Sequence, residues 1–291
     1  MIVLEGPAGC GIGKELGRLM GAKAFDVDFK SFPDGESRVR VIGVKKGDDV
    51  VIAQSLYQPQ DKHIMELLFM ADGLRRVASK ITAVIPYLAY ARQNKAFVEG
   101  DMVSIETVMK MLFDAGISSI ITVEPHKYDV MEMFKGEGRI VGMANPMAKH
   151  LYGEIRDPVV VAPDAGGLER ASKIAEALGC GYVHLSKERD RETGEISMSG
   201  ELGNLSGKDA VVVDDMISTG GTAAAAVDAA ISAGARKAVV AAAHLLMVGP
   251  AEERIRKAGA VEIYGTNSVP FSNARIVDVS EYIAKELEGL R

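Results

Sequence analysis

The sequence is poor in cysteine. Cys10 and Cys180 are the only two cysteines among 291 residues, and they stand far apart, with no Cys-x-x-Cys pair. This distribution offers no paired-cysteine motif and fits the reducing environment of the cytoplasm. The chain also begins with a strand-like Ile-Val-Leu-Glu-Gly segment where a secreted protein would carry a signal peptide. We therefore expect a cytoplasmic protein.

Long apolar runs and a strong excess of one charge are also lacking. No uninterrupted apolar run approaches the roughly 18 to 20 residues that are needed to cross a bilayer. The net charge is only −6, so no overall basic field attracts nucleic acid, and any phosphate site must be built locally. With 47% hydrophobic residues, the chain can form one large domain or two ordinary ones. These properties predict a globular α/β enzyme without a membrane or nucleic-acid partner.

Short apolar runs alternate with helical patterns along the chain. The predicted strands cover residues 50–53, 81–85, 120–123, 159–162, 210–213 and 238–242. The predicted helices cover residues 64–76, 105–114, 169–178, 222–232 and 250–257. This alternation is typical of parallel sheets that are covered by helices on both faces.

An internal repeat divides this pattern into two similar halves. The strand, helix and strand that begin at Asp49 align with those that begin at Asp209. We place the boundary near residues 145–158. The repeat therefore predicts an N-terminal domain over 1–147 and a C-terminal domain over 148–291, with the last residues packing back on the first domain.

The second half contains the most informative stretch. Residues 210–213 suit a strand that is buried on both faces, and Asp214 and Asp215 follow at the carboxyl end, where open α/β sheets bind ligands. A loop of small and hydroxyl residues then opens an alanine-rich helix: Ser218, Thr219, Gly220, Gly221 and Thr222. Unpaired N–H groups at such a helix start attract anions, and glycines allow close approach. Because carboxylates accept hydrogen bonds from sugar hydroxyls, the stretch predicts a sugar-phosphate site.

A plainer interpretation is that the two acids only end a strand and the loop only caps a helix. The combination of a strand, two acids, a short spacer and five small or hydroxyl residues favours the binding site. The first half of the repeat has Gln54-Ser55 in place of the acids and lacks the loop. Only the C-terminal copy is therefore predicted to hold the sugar phosphate.

Two polar segments of the first half are further candidates. Phe32-Pro33-Asp34-Gly35-Glu36 is a turn by composition, with two acids beside an aromatic ring. Arg92-Gln93 follows the predicted strand 81–85, and an arginine there suits bidentate contact with phosphate, whereas the glutamine can pair with a base edge or a hydroxyl. A solvent-exposed hairpin turn and a surface ion pair are the plainer alternatives.

Two side chains at predicted strand ends could bind a metal. His126 follows the strand 120–123 in Glu124-Pro125-His126, and Asp164 follows the strand 159–162 before two glycines. A carboxylate and an imidazole at neighbouring strand ends could share Mg²⁺, which takes few protein ligands beside substrate phosphates. Each residue taken alone suits a structural role equally well.

A charged segment follows a predicted strand at 182–185. Lys187 and Arg189 stand two residues apart, so in an extended backbone they lie on the same face. A mobile cationic loop of this kind can close over a transferring phosphoryl group. The plainer interpretation is a solvated charged loop.

A glycine-rich segment near the N-terminus superficially suggests a nucleotide loop. Ala8 stands where the first P-loop glycine belongs, and Glu15 where Ser or Thr would bind magnesium. The dinucleotide pattern fails too, because neither Lys14 nor Leu16 is its third glycine. We interpret the segment as a strand-to-helix turn.

Several of these segments match a known family. The stretch 211–222 is similar to the phosphoribosyl-diphosphate signature of the type I phosphoribosyltransferase fold, and essentially the whole chain resembles the ribose-phosphate diphosphokinase family. The matching segments are FPDGE at 32–36, QPQDKHIMELL at 58–68, IPYLAYARQ at 85–93, PDAGG at 163–167, HLSKER at 184–189 and DDMISTGGT at 214–222. The shorter length is similar to that of archaeal members.

The resemblance implies a fold, a reaction and a set of site residues. The fold would be α/β, with two phosphoribosyltransferase-like domains that each contain a mostly parallel sheet flanked by helices. The reaction would transfer the diphosphoryl group of MgATP to O1 of ribose 5-phosphate, in a homo-oligomer (a dimer or larger) where a neighbour donates the 32–36 turn. ATP would be bound by Phe32, Asp34, Gly35, Glu36, Arg92 and Gln93, and Mg²⁺ by His126 and Asp164. The catalytic residues would be Lys187 and Arg189, and ribose 5-phosphate would be bound by Arg189, Asp214, Asp215, Ser218, Thr219, Gly220, Gly221 and Thr222.

The chain departs from the family pattern at Asn94, Glu124 and Ser218, each of which stands where the family commonly has Asp. None of these changes removes a charge that the mechanism requires. Two other functions share part of the pattern. A salvage phosphoribosyltransferase would need only the 211–222 loop, and a non-catalytic regulatory homologue would have lost catalytic positions that are present here.

Overall fold

The structure, a computed structural model, describes residues 1–189, 196–199 and 202–290, and for residues 186–189 and 196–199 it describes the backbone alone. The chain divides into two compact units. The first comprises Met1–Val141, Asn267–Val269 and Val279–Arg291, and the second comprises Gly142–Thr266 and Pro270–Asp278. In the described residues no helix combines the length and the apolar character that a membrane span needs.

The first unit contains a six-stranded sheet in which every pair of neighbouring strands is parallel. Its strands are β1 (Ile2–Glu5), β2 (Lys23–Asp26), β5 (Asp49–Ala53), β6 (Lys80–Ile85), β7 (Ser119–Val123) and β8 (Glu137–Val141). They lie in the order β2-β1-β5-β6-β7-β8. A separate antiparallel hairpin consists of β3 (Asp28–Ser31) and β4 (Ser37–Arg40). Because the sheet strands are parallel, their carboxyl ends meet at one edge.

Helices surround this sheet. They are α1 (Ile12–Leu19), α2 (Gln60–Leu74), α3 (Ser104–Asp114), a 3₁₀ helix (Tyr128–Met133) and, from the end of the chain, α8 (Ser280–Gly289). Residues of α1 and α8 form one core with Val3, Val51 and Val84 of the sheet. The fully buried runs in β5, β6 and β7 fit this two-sided cover.

The second unit repeats the same plan. Its sheet contains β9 (Pro158–Ala162), β10 (Gly181–His184), β13 (Asp209–Ile217), β14 (Lys237–Leu245), β15 (Ala260–Thr266) and β16 (Arg275–Val277), in the order β10-β9-β13-β14-β15-β16. All of these neighbouring pairs are parallel. A hairpin again follows the edge strand, with β11 (Ser186–Arg189) paired to β12 (Ile196–Ser199). The helices are α4 (Ala144–Leu151), α5 (Leu168–Leu178), α6 (Gly221–Ser232) and α7 (Ala251–Lys257), with a 3₁₀ turn at Ala165–Gly167.

Alternate residues of β13 face different layers of the second unit. Val212 belongs to the core that includes α6, whereas Val211 and Val213 belong to the core that includes α5. Successive side chains of a strand point to opposite faces, so both faces of this strand are covered.

The predicted fold class is confirmed: each unit is a parallel sheet flanked by helices. All seven predicted strands are present, and the five predicted helices begin and end within about four residues of their predicted positions. The largest difference is the start of α2, predicted at residue 64 and observed at Gln60, directly after Pro59. Polar residues at this start gave no apolar periodicity to detect.

Candidate functional site

The phosphate loop, residues 218–222, connects β13 to α6. Gly220 has a φ of +74°, a conformation that favours glycine, and α6 begins at the next residue without a side-chain cap. The first N–H groups of this helix therefore lack the partner that a capping side chain would supply. A helix start of this kind suits an anion, as the sequence predicted.

Neighbouring segments hold the phosphate loop in place. The N–H of Val248 donates to the carbonyl of Ser218 at 2.9 Å, and Arg254 Nη1 donates to the carbonyl of Thr219 at 2.5 Å. A Cβ added to Gly220 would lie 2.8 Å from the carbonyl oxygen of Ala251. The backbone is thus fixed from outside, and its N–H groups remain available to a ligand.

The two acids of β13 have different neighbours. Asp215 is buried, with Arg170 Nη1 of α5 3.8 Å from its Oδ1, whereas Asp214 is half-buried and its Oδ1 accepts from the N–H of Asp215 at 2.9 Å. Burial, followed by the negative charge of Asp215, raises the pKa of Asp214 to about 8, although Arg170 opposes the shift. Asp214 therefore carries a proton far more readily than an ordinary aspartate.

Asp164 follows the adjacent strand β9. Its Oδ1 accepts hydrogen bonds from the N–H groups of Gly166 at 2.9 Å and Gly167 at 3.2 Å. The carboxylate is half-buried, and no hydrogen bond to its Oδ2 is present among the described residues. One oxygen is therefore fixed by the backbone and the other can serve as a ligand.

The predicted turn at 32–36 forms the tip of the β3–β4 hairpin. The N–H of Gly35 donates to the carbonyl of Phe32 at 3.0 Å, and the N–H of Glu36 donates to Asp34 Oδ1 at 3.1 Å. Gly35 has a φ of +93°, and the whole turn is exposed. The ammonium group of Lys30 lies 5.1 Å from the centre of the Phe32 ring. The turn thus presents an aromatic ring and two carboxylates to solvent.

Arg92 and Gln93 lie in the loop after β6. Tyr90 adopts a left-handed φ of +64°, and the N–H of Gln93 donates to its carbonyl at 2.9 Å. Arg92 is exposed and has no ion-pair partner among the described residues, so it is available to an anion. His126 follows the neighbouring strand β7 and is half-buried. These residues lie at the carboxyl edge of the first sheet.

The glycine-rich turn after β1 binds an internal carboxylate. Glu5 Oε1 accepts from the N–H of Gly11 at 2.8 Å, and Oε2 accepts from the N–H of Lys14 at 2.9 Å. A Cβ at Gly9 would lie 2.2 Å from Glu5 Oε1. The rejection of a nucleotide loop is confirmed, because a side chain of the protein occupies the anion position at the start of α1.

Three side chains that contact these segments were not predicted from the sequence: Glu5, Arg170 and Arg254. Each acts on a segment that is distant along the chain or across a turn, and none lies in a residue pattern with a recognisable spacing. The glycines around Glu5 were the one available signal, because they imply a close approach of some group. The identity of that group could not be read from them.

Lys187 and Arg189 lie in β11, so the extended backbone predicted there is confirmed, but their side chains lie outside the described residues. In the described part of the chain no three His, Cys, Asp or Glu side chains cluster as a metal site. His126 belongs to the first unit and Asp164 to the second.

Comparisons with known proteins agree with this arrangement. Residues 1–116 match the profile described as the N-terminal domain of ribose phosphate pyrophosphokinase, and residues 139–272 match the phosphoribosyl transferase domain. The chain is 43% identical to a ribose-phosphate pyrophosphokinase of Sulfolobus acidocaldarius over 99% of this chain and 100% of the relative. A similar relative from Saccharolobus solfataricus is 42% identical, with the same two coverages.

A solved structure extends the similarity to three dimensions. The phosphoribosylpyrophosphate synthetase of Mycobacterium smegmatis is 28% identical and superimposes with a TM-score of 0.88, over 99% of this chain and 98% of that one. Both units and their order along the chain are therefore shared with that synthetase. On the combined sequence and structural match, this chain belongs to the ribose-phosphate pyrophosphokinase family.

Proposed function

We propose that the protein is a ribose-phosphate diphosphokinase. It transfers the diphosphoryl group of ATP to O1 of ribose 5-phosphate, giving 5-phosphoribosyl 1-diphosphate and AMP. The observation that carries the proposal is the uncapped phosphate loop that follows the two acids of β13. Family membership over the full length supports the reaction, and the geometry supports the sugar-phosphate subsite.

In this proposal the second unit binds ribose 5-phosphate. The 5-phosphate occupies the start of α6, where it receives the N–H groups of residues 218–222. Asp214 accepts hydrogen bonds from the ribose hydroxyls. Its raised pKa supports this role, because hydroxyl donors stabilise the charged carboxylate that burial disfavours.

The nucleotide is bound by two exposed elements of the first unit. The ring of Phe32 stacks on the base, and the carboxylates of Asp34 and Glu36 accept hydrogen bonds from it. Arg92 binds the phosphates through its guanidinium group, which is suited to bidentate contact. Gln93 offers an amide that can pair with the base edge or a hydroxyl. The exposure of the turn, and of an Arg92 guanidinium that has no ion-pair partner in the described part of the chain, supports these roles.

Diphosphoryl transfer requires little covalent participation by the protein. The O1 hydroxyl attacks the β-phosphorus of ATP, the bond from that phosphorus to the bridging oxygen of the α-phosphate breaks, and AMP leaves with that oxygen. The hydroxyl proton passes to solvent. Lys187 and Arg189 supply positive charge for the oxygens that become more negative in transfer. A nucleophilic side chain is not needed.

Mg²⁺ is the cofactor implied by the family. Asp164 fits it, because two N–H groups hold Oδ1 while no described residue donates to Oδ2. His126 is the second candidate, through its ring nitrogen or a coordinated water. When bound there, the ion would supply positive charge that offsets the negative charge of the phosphate groups.

The direct test incubates purified protein with ribose 5-phosphate and MgATP and follows products by ³¹P nuclear magnetic resonance. Equal amounts of AMP and 5-phosphoribosyl 1-diphosphate are expected. Nucleobase-dependent release of diphosphate from added 5-phosphoribosyl 1-diphosphate, without any need for ATP, would instead identify a salvage transferase. A protein without either activity would support a regulatory role.

We further propose that the enzyme is a cytoplasmic homo-oligomer in which a neighbour supplies the 32–36 turn. Lys187→Ala and the double variant Asp34→Ala with Glu36→Ala are each inactive in this scheme. After dissociation and random reassociation, each mixed dimer would contain one intact site, so roughly a quarter of wild-type activity should return. Mixed dimers that stay inactive would show that the turn serves its own chain.

A further inference from the structure

The segment QPQDKHIMELL at 58–68 matches the family but has no assigned role in the site above. In the structure it forms the loop before α2 and the first half of that helix. Its residues Asp61 and Lys62 lie in the first turn of α2. Each of them contacts one of the two elements that bind ATP in the proposed function.

Lys62 contacts the β3–β4 hairpin. Its ammonium group lies 5.0 Å from the centre of the Phe29 ring and 3.3 Å from the hydroxyl oxygen of Ser31, the residue directly before the 32–36 turn. Most hairpin residues are exposed, and a two-stranded hairpin has little stability of its own. The position of the turn therefore depends on such contacts with the body of the unit.

Asp61 contacts the loop after β6. The hydroxyl of Tyr90 donates a hydrogen bond to Asp61 Oδ1. Tyr90 is the residue whose carbonyl accepts from the N–H of Gln93, so this bond fixes the beginning of the Arg92-Gln93 turn. Two adjacent residues of one helix thus reach two separate nucleotide-binding elements.

Lys62 also contacts a buried carboxylate in the interior of the first unit. Its ammonium group lies 3.9 Å from Glu66 Oε1, which is buried and has no hydrogen-bond partner among the described residues. Glu66 Oε2 accepts from Gln54 Nε2 at 3.0 Å, and Gln54 Oε1 accepts from the N–H of Ala8 at 2.9 Å. A fixed buried carboxylate therefore holds the lysine on the hairpin side of α2.

We propose that Asp61 and Lys62 are positioning residues for nucleotide binding: Lys62 holds the 32–36 turn, which serves the neighbour's site in the proposed oligomer, and Asp61 holds the Arg92-Gln93 loop, which serves the site of its own chain. The inference rests on the proposed function, because it requires these two elements to bind ATP. Neither residue needs to touch the substrate. Lys62 acts through the hairpin, and Asp61 acts through Tyr90.

The experiment compares steady-state kinetics of wild type, Lys62→Met, Lys62→Arg and Tyr90→Phe. Lys62→Met keeps the length of the side chain but removes its charge and its donors, so the KM for ATP should rise roughly three- to tenfold. The KM for ribose 5-phosphate and kcat should change less than about twofold, because the lost contacts only orient the nucleotide site. Lys62→Arg should retain most of the wild-type KM, since a guanidinium also donates and stacks on an aromatic ring. Tyr90→Phe should raise the KM for ATP by a smaller factor.

Lys110→Met is the matched control. Lys110 is an exposed lysine of α3 that pairs with Asp114 one helical turn away, and its loss should leave both KM values unchanged. A second control tests the route of the effect. In a Phe32→Leu background, which weakens only the ring contact of the turn, Lys62→Met should raise the KM for ATP by less than it does in wild type if it acts through the turn, whereas Tyr90→Phe should keep its effect.

The outcomes separate the two hypotheses. A wild-type protein that forms no AMP from ATP and ribose 5-phosphate would refute the proposed function, and the positioning role with it. An active wild type with an unchanged KM for ATP in Lys62→Met would refute the positioning role alone. The role would also fail if Lys62→Met raised both KM values together with a fall in Tm that Lys62→Arg did not restore, because that result indicates a general structural defect.

Discussion

Alanine substitutions of the two neighbouring glycines in the phosphate loop should change different properties. Gly220→Ala should lower stability, whereas Gly221→Ala should weaken substrate binding. Gly220 has a φ of +74°, and a Cβ there would lie 2.8 Å from the carbonyl oxygen and 3.1 Å from the Cα of Ala251. Gly221 has an ordinary backbone, and its nearest neighbour would be Arg254 Nη1 at 3.9 Å. Alanine at either position adds one methyl group, so the difference between the variants isolates the local geometry.

The expected loss of stability follows from these contacts. A non-glycine residue in the left-handed region costs about 1–2 kcal/mol, and a methyl group forced against backbone atoms adds about 1–3 kcal/mol. Gly220→Ala should therefore lower the free energy of unfolding by about 2–5 kcal/mol, and the Tm by at least about 4 °C. Gly221→Ala should stay within about 1 kcal/mol of wild type, because alanine suits a helix better than glycine.

Gly221→Ala, which should hardly change stability, should nevertheless weaken the binding of ribose 5-phosphate. The space beside Gly221 is the space that the 5-phosphate fills in the proposed function, so Gly221→Ala should raise the KM for ribose 5-phosphate roughly tenfold or more through one weakened bond to a charged group. The KM for ATP should stay near the wild-type value. Thermal unfolding without ligand and steady-state kinetics with each substrate measure the two effects separately.

Either measurement can refute the reasoning. Equal Tm values for Gly220→Ala and wild type would mean that Ala251 moves aside at little cost, so that the close contact does not fix the loop. An unchanged KM for ribose 5-phosphate in a stable Gly221→Ala variant would mean that the phosphate does not occupy this helix start. The second result would also weaken the proposed ribose 5-phosphate subsite.

Three further predictions concern charge in the site. Lys187→Ala should lower kcat by roughly 10²- to 10³-fold with smaller changes in KM, as expected for a contact made mainly in the transition state; single-turnover rates close to wild type would exclude that role. His126→Ala and Asp164→Ala should each shift the Mg²⁺ dependence of activity to higher concentration, and a lost activity with an unchanged Mg²⁺ titration would argue against ligation. Asp214 has a pKa raised from 3.8 to about 8, so the folded protein binds the extra proton and its stability falls as pH rises between these values. Asp214→Asn should remove this pH dependence of stability, so the variant should unfold at a higher temperature than wild type at pH 8 but not near pH 4. Its KM for ribose 5-phosphate should rise. If the Tm values of variant and wild type changed in parallel with pH, the raised pKa of Asp214 would be refuted.

The sequence predicted most of the second unit because local and global signals agree there. The buried strands β9, β13 and β14 are continuous apolar runs, and the glycines and hydroxyl residues after β13 mark the start of α6. Residues adjacent along the chain form this loop, so it could be recognised without any knowledge of tertiary contacts.

Other elements could not be predicted because their signals are not local. The short edge strands β2 and β16 are only partly buried, so they lack the continuous apolar pattern of the central strands. The ion pair between Arg170 and Asp215 joins a helix to a strand, and no spacing in the sequence indicates it. The contact of Lys62 with the β3–β4 hairpin could not be predicted for the same reason.

The two halves of the repeat satisfy their polar groups in different ways, and this difference bears on function. Gln54 and Ser55 stand where the second half has the two acids, and both are fully buried: Gln54 bonds to Ala8 and Glu66, and Ser55 Oγ donates to the carbonyl of Ser268 at 2.6 Å. The first unit thus closes this place with its own side chains. In the second unit two neighbouring carboxylates share the place, and burial and mutual repulsion raise the pKa of Asp214. The same fold can therefore satisfy these two positions with internal hydrogen bonds, as the first unit does. The second unit instead keeps two carboxylates that repel each other, and a bound ligand can offset this unfavourable electrostatic energy.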